Sequence, residues 1–312
     1  MRIAIVGGTG SVGMATARLL CTAGHEVAVV SRRSPGQSPE GLSWLKADVC
    51  DAGQIGLALS RVRANRVVHL ASLLQYGCEQ DPAAAIRVNI DGTLNVLEAC
   101  RAQGVERLVF GSSIAVYGQR SDLMRESDSP RGEVNLYGAT KHLGEVLGRK
   151  FAERLDFEFV ALRYSGIIGP GVASSAGMAS IRQSILRASL GEDVDVEGAC
   201  GDERVQVTHV NDAAQATALA VTGPSPRRTV YNIAGPGSNY ASLRELYQLV
   251  CAAAPGAGHV KWHGRGISAG PVDTTAFFED FGFVPSISLE SAVNDEISRL
   301  ARRGHSVKEK VQ

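Results

Sequence analysis

The chain has 312 residues, 44% of them hydrophobic, which is enough for one large domain or one and a half around a sizeable core. Lysine plus arginine number 32 and aspartate plus glutamate number 32, so the formal net charge is zero and no long-range field exists to hold nucleic acid or an anionic membrane. Met1 to Val6 run into an apolar segment too short for a signal-peptide core, and no later apolar run approaches the roughly twenty residues of a membrane span. In chain order, short β-branched runs predict strands at 2–6, 26–31, 43–46, 66–71, 107–110 and 157–162. Between them, helical patterns stand at 11–23 (closed by Gly24), at 81–102 and at 136–154; the second has Asp81 as N-cap, Pro82 at its first position and Gly104 just past its end. This alternation predicts an α/β fold, a Rossmann-type doubly wound parallel sheet with helices on both faces. After Arg163 the rhythm breaks at Gly/Ala/Ser-rich stretches over 166–179 and 234–241. The reading divides the chain into a Rossmann domain over 1–165, joined by returning segments near 205–233, and a smaller, discontinuous C-terminal region over 166–312 that is mainly substrate-binding. A strand at 229–233 is expected to rejoin the sheet, a capping box Ser242-Leu243-Arg244-Glu245 to open the next helix, and the tail 306–312 to fray. The six cysteines, Cys21, Cys50, Cys78, Cys100, Cys200 and Cys251, show neither a CxxC pair nor zinc-finger spacing; they read as reduced core thiols of a cytoplasmic protein without a metal site.

Directly after the first strand comes Gly7-Gly8-Thr9-Gly10-Ser11-Val12-Gly13. The glycine at 7 makes a turn, the one at 10 lets backbone N–H groups approach a pyrophosphate, and the one at 13 lets helix and strand pack closely; together they predict a dinucleotide site at a helix N-terminus. A merely structural turn is the alternative, against which the strand–turn–helix context argues. The second strand ends in Ser31-Arg32-Arg33, where an NAD-selective site places a carboxylate for the ribose hydroxyls. One hydroxyl and two guanidinium groups suit a 2′-phosphate, so NADP(H) is favoured over NAD(H), the alternative being a solvated arginine pair. Asp48, with Val49 beside it, follows the third strand and is placed to accept a hydrogen bond from the adenine amino group or to cap a helix.

The fifth strand runs into Gly111-Ser112-Ser113-Ile114-Ala115-Val116-Tyr117-Gly118, and Tyr137-Gly138-Ala139-Thr140-Lys141 follows on a predicted helix. Tyrosine and lysine at i,i+4 share a helix face, so the ammonium can sit beside the phenol. A nearby cation favours the phenolate and is expected to lower the Tyr137 pKa from about 10 toward the working pH, making it a usable general acid or base. Ser113, at the strand's C-terminal end where doubly wound sheets bind ligands, can hydrogen-bond the substrate oxygen. A tyrosine–lysine pair at this spacing also arises by chance, so the combination carries the reading.

These residues resemble the short-chain dehydrogenase/reductase superfamily and within it the extended branch, the NAD-dependent epimerase/dehydratase family. The resemblance runs through the glycine turn, His69-Leu70-Ala71, Asn89-Ile90-Asp91-Gly92-Thr93, the serine motif, the Tyr/Lys pair, Leu162-Arg163 and Gly169-Pro170-Gly171. It implies that Tyr137 exchanges the proton, Lys141 also holds the nicotinamide ribose, Ser113 orients the substrate and Asn89 joins the internal hydrogen-bond network. It further implies that Leu70 and Ala71 line the nucleotide site, and that helices 81–102 and 136–154 pair across a homodimer. Outer apolar residues packing under loops of the same chain are the alternative to that dimer.

Two departures speak against nucleotide-sugar epimerases. Gly166 stands where those enzymes usually carry Asn before Gly-Pro, and Val205-Gln206 stand where they carry an Arg-Asp pair ahead of His209. Arg204 lies one residue off, and a one-residue shift on a strand turns a side chain to the other face unless a bulge restores it. Ile114 and Ala115 replace the Asp-Glu of dehydratases. Segments 69–74, 112–118 and 162–168 are similar to the short-chain type of L-threonine 3-dehydrogenases, which makes Ser72 a candidate substrate contact beside Ser113 and Gly166. The glycine turn, the Ser-Arg-Arg loop and Ser174-Ser175-Ala176-Gly177 differ from that pattern. The expected function is NAD(P)-dependent hydride transfer between nicotinamide and a secondary alcohol or ketone of a small polar substrate. A nucleotide-sugar 4-epimerase with tightly bound NAD and a non-catalytic nucleotide-sensing protein are the alternatives. His142 is expected off the Lys141 face, and His263 on a surface loop rather than in the substrate pocket.

Overall fold

Alternating Ile, Val and Ala residues form the strands predicted for them, because the central strands are buried on both faces. The computed structural model describes residues 1–36, 41–155, 157–172, 178–266 and 268–308. The 174–177 stretch and the last residues of the 306–312 tail therefore lie outside the described residues. In chain order the elements are β1 (Arg2–Val6), α1 (Ser11–Thr22), β2 (Glu26–Ser31), β3 (Leu42–Lys46), α2 (Ala52–Val62), β4 (Arg66–His69), α3 (Gln75–Gln80), α4 (Pro82–Ala85) and α5 (Gly92–Gln103). They continue with β5 (Arg107–Ser113), α6 (Leu136–Leu155), β6 (Glu158–Tyr164), β7 (Gly166–Ile168), α7 (Met178–Arg187), β8 (Val194–Glu197), β9 (Arg204–His209) and α8 (Val210–Thr222). The last are β10 (Val230–Ile233), β11 (Tyr240–Ser242), α9 (Leu243–Ala253), β12 (Val260–His263), α10 (Thr275–Phe281) and α11 (Leu289–Lys308).

Seven parallel strands form one sheet in the order β10-β6-β5-β4-β1-β2-β3. The order reverses between β1 and β4, and a crevice opens at the strand ends of such a switch point. Ile3 and Ile5 face one layer with α1 and α8, while Ala4 and Val6 face the other with α2 and α5. This two-residue alternation is the pleat sorting side chains between the two cores. The expected return of 229–233 is β10, which pairs in parallel with β6 through Val230↔Ala161 to Ile233↔Tyr164. A third cluster, including Ile168, Ile185, Val196, Leu246 and Val293, gathers the remaining helices around the small sheets β11-β9-β7 and β12-β8.

Several local expectations change. The helix expected over 81–102 starts as predicted, with Asp81 accepting from Ala84 N and Pro82 in the first turn, but a π-helical stretch at Ile86–Asp91 separates α4 from α5. A π-turn adds a residue to the turn and re-aims the side chains, here Asn89, and such turns frequently mark functional sites. Strand β5 runs on to Ser113 because Gly111, Ser112 and Ser113 continue the pairing with Leu162, Arg163 and Tyr164. Helix α2, unpredicted, is capped by Asp51, whose carboxylate accepts from Gln54 N. Helix α11 runs through Lys308. The cysteines are free, but Cys78 and Cys100 alone are core residues and Cys50 is exposed. Among the described residues no helix is long and apolar enough to cross a membrane, and no cluster of metal-ligating side chains forms.

Candidate active site

The switch point places Gly7 at the end of β1 with φ +79, and a Cβ there would meet Ala71 N at 2.3 Å. Leu70 and Ala71 both donate backbone N–H groups to Val6 O, so the β4 end is locked against the glycine turn. Gly10 differs: a Cβ would approach nothing closer than Gly7 O at 3.6 Å. Its missing side chain keeps open the floor of a cavity of about 550 Å³, beside the first turn of α1, which has no side-chain cap and no acidic residue. Uncapped N–H groups under an open floor are a site for a diphosphate. The same cavity is lined by Ser11, Val12, Gly13, Ser31, Arg32, Arg33, Asp48, Val49, Leu70, Ala71, Ser72, Ser113, Tyr137 and Lys141. These residues fit a dinucleotide: backbone donors for phosphates at one end, a tyrosine–lysine pair at the other.

Individual roles are revised. The Ser31 hydroxyl donates to Arg33 O at 2.7 Å and accepts from Trp44 Nε1 at 3.0 Å, so it shapes the arginine loop at the cavity wall. Arg32 and Arg33 are exposed at the cavity rim. Asp48 accepts from Cys50 N at 3.0 Å, and Asp51 is the helix cap. Asn89 lies on neither cavity wall. Buried in the π-turn, it accepts from Leu73 N at 2.7 Å and donates to Leu73 O and Thr140 Oγ1, tying the β4 loop to α6.

Ser113 ends β5 and accepts from Ala115 N at 3.2 Å; its hydroxyl and that of Ser72, which donates to Leu73 O, lie near enough to Tyr137 to favour the phenolate. Lys141 is 4% exposed and donates to Gly111 O at 2.7 Å, with Nζ 5.6 Å from the Tyr137 ring centroid. Burial pulls its ammonium down to about 8. Tyr137 keeps a partly exposed face toward the cavities, yet the protein packed around its hydroxyl pushes the phenol up to about 12, with the Ser113 and Ser72 hydroxyls acting the other way. The phenol is thus raised rather than lowered, because desolvation of its hydroxyl dominates and the Lys141 ammonium donates to Gly111 O rather than to the phenol. The phenol is protonated at neutral pH and stands as a proton donor. His69, 1% exposed with Nε2 3.1 Å from Thr93 Oγ1, is held neutral by burial, which lowers it to about 3.

Sequence reasoning missed Glu145, one turn beyond Lys141. Fully buried, it accepts from Arg163 Nε and Nη2 at 2.8 and 2.7 Å and from the Ser112 hydroxyl at 2.6 Å, clamping α6 to β5 and β6. Arg163 also stacks over Tyr117, 4.7 Å from its centroid.

A second cavity of about 480 Å³ adjoins the first and shares Leu74, Ser113, Tyr137, Tyr164 and Ser165 with it. Gly166, Arg120, Arg182, Val205 and Gln206 are among its other lining residues. Arg204 is turned away, paired with Glu245 at 3.2 Å and donating to Tyr240 O, as the one-residue shift predicts. Gln206 is committed to Gly235 O and Val272 N. Arg182, which sequence reasoning also missed, is 6% exposed and lies against Gly166, where a Cβ would meet its Nη1 at 2.9 Å. With no carboxylate partner among the described residues, burial lowers its guanidinium to about 10. His263 is on β12 rather than a loop, outside both cavities and 2.7 Å from Asp195.

Comparison with known proteins agrees with this fold. Residues 3–234 match the model of the NAD dependent epimerase/dehydratase family. A UDP-glucose 4-epimerase of Rhizobium meliloti is 30% identical over 171 residues, covering 54% of this chain and 52% of that protein, so the chain matches about half of its length. The UDP-glucose 4-epimerase of Thermus thermophilus, solved in complex with NAD, superposes with a TM-score of 0.85 at 25% identity over 96% of this chain and 98% of that one. L-threonine 3-dehydrogenase from Trypanosoma brucei superposes with a TM-score of 0.84 at 19% identity, over 96% of each chain, a likeness of fold.

Proposed function

This chain belongs to the NAD dependent epimerase/dehydratase family, and from that premise we propose that it is a dehydrogenase or reductase acting on a secondary alcohol or ketone of a small polar substrate. The observation that carries the reading is the position of Ser113 and Tyr137 on the shared wall of two cavities, one fitted to a dinucleotide and one open for a substrate. A bound nicotinamide supplies the hydride donor or acceptor. In the reductive direction the Ser113 hydroxyl holds the carbonyl oxygen, and Tyr137 gives its proton to that oxygen as the carbon becomes a carbinol. Lys141 lies within the nucleotide cavity for the ribose, and Arg32 and Arg33 at its rim favour a 2′-phosphate, hence NADP(H). We assign residues 166–312, apart from α8 and β10, mainly to the substrate side. A homodimer through α5 and α6 is part of the reading: Leu94 on α5 and Leu143 on α6 are exposed apolar residues, as is Ile86 just before α5.

The test is Tyr137→Phe, which removes one hydroxyl. Turnover on a substrate found by screening hydroxy acids and ketones is expected to fall by about two to four orders of magnitude with cofactor affinity unchanged; unchanged turnover would sink the mechanism. A sugar-nucleotide 4-epimerase is the second reading, favoured by the relatives named above. Against it stand Val205 and Gln206 at the cavity wall and an Arg204 already paired elsewhere.

A further inference from the structure

Among the described residues, the wall of the substrate-side cavity has two arginines and no aspartate or glutamate. Arg120 is neutralised: its guanidinium pairs with Asp122 and, at 2.8 Å, with Asp128. Arg182 is not. It is 6% exposed, donates to Ile167 O at 3.3 Å, and has no carboxylate partner among the described residues. A buried cation without a counter-charge destabilises the fold that holds it, so such a group persists where a ligand supplies the opposite charge. The neighbouring backbone is shaped to admit it: Nη1 occupies the space beside Gly166 that any side chain there would fill. The glycine that removes an amide from the cavity thus makes room for a guanidinium.

We propose that Arg182 is the receptor for an anionic group of the substrate, gripping paired oxygens of a carboxylate or a phosphate through its planar fork. Ser113 and Tyr137 line the same cavity, so the anion and the reacting carbon belong to one molecule. The substrate class becomes a hydroxy or keto compound bearing a carboxylate or phosphate. The inference rests on the hydride-transfer reading for its reacting carbon, but its test needs no turnover.

Enzyme saturated with whichever of NADH and NADPH binds more tightly is titrated with acetoacetate, dihydroxyacetone phosphate and the neutral 4-hydroxy-2-butanone, following the fluorescence of the bound nicotinamide. At least one anion is expected to bind about tenfold or more tightly than the neutral ketone. That preference is expected to vanish in Arg182→Gln and to survive in part in Arg182→Lys, which keeps the charge without the fork. Preference for acetoacetate identifies a carboxylate and preference for the phosphate ester a phosphate. Equal binding of anions and neutral ketone by the unaltered enzyme overturns the proposal, even if the glutamine variant does not fold. So does an undiminished anion preference in a folded Arg182→Gln variant that still binds the cofactor.

Discussion

Lys141→Met should abolish catalysis while leaving the fold as stable as before or more so. The ammonium is 4% exposed, and burial takes it from 10.5 to about 8. A displacement of that size means that holding the charge inside the fold costs about 3 kcal/mol at pH 7. Between pH 8 and 10.5 the unfolded chain binds more protons than the folded one, so this contribution makes stability rise with pH there; below about pH 8 the penalty is in full force. Methionine fills similar volume and removes the penalty, but it leaves Gly111 O without its 2.7 Å donor, a loss of about 1–3 kcal/mol. The net expectation at pH 7 is a variant between equal stability and about 2 kcal/mol more stable. The sharper expectation concerns pH: the variant's relative advantage should shrink by about 2 kcal/mol from pH 7 to pH 9.5, as the unaltered enzyme sheds the proton. Urea denaturation followed by tryptophan fluorescence at both values measures this. Parallel behaviour, with the difference constant across the range, would refute the buried, depressed ammonium and with it the electrostatics assigned to the site.

Gly7→Ala and Gly10→Ala should separate fold from ligand. At Gly7 a methyl meets Ala71 N at 2.3 Å with φ +79, so the apo protein should lose about 2 kcal/mol or more by chemical denaturation. At Gly10 the methyl enters open cavity, so apo stability should hold within about 0.5 kcal/mol while the dinucleotide Kd rises about tenfold or more; equal effects in the two variants would remove the cofactor from the argument. Glu145→Gln strips the counter-charge from Arg163, itself 4% exposed, and should cost about 3–5 kcal/mol; a loss below about 1 kcal/mol would show that the clamp is not holding α6 to the sheet.

The sheet was legible because its central strands are buried on both faces and punctuated by glycine turns, and β10 was found through a β-branched run after a break in rhythm. The π-turn was not, since a helical pattern over 81–102 shows the same residues with or without one extra residue per turn; Asn89 betrays it only through its partners Leu73 and Thr140. Gly10, Ser113, Tyr137 and Lys141 could be read locally because each sits at an element end or on one helix face. The electrostatics could not: i,i+4 spacing shows that Lys141 shares a face with Tyr137, but not that Gly111 O accepts from its ammonium or that packing around the phenol dominates. Arg182 and Gly166 stand on different elements, and their relation exists only once β7 and α7 are folded together. Its sequence signal was the glycine itself, a missing side chain whose space something else had to fill.

A dehydrogenase or reductase must turn its cofactor over against an external substrate. The direct measurement is denaturing release and mass spectrometry of any nucleotide retained by freshly purified enzyme, followed by the exchange rates of added NADPH and NADH. Rapid uptake and exchange of NADP(H) is the predicted result; NAD(H) retained tightly and not exchanging would contradict it, point to a closed redox cycle on one bound sugar, and overturn the role given to Arg32 and Arg33.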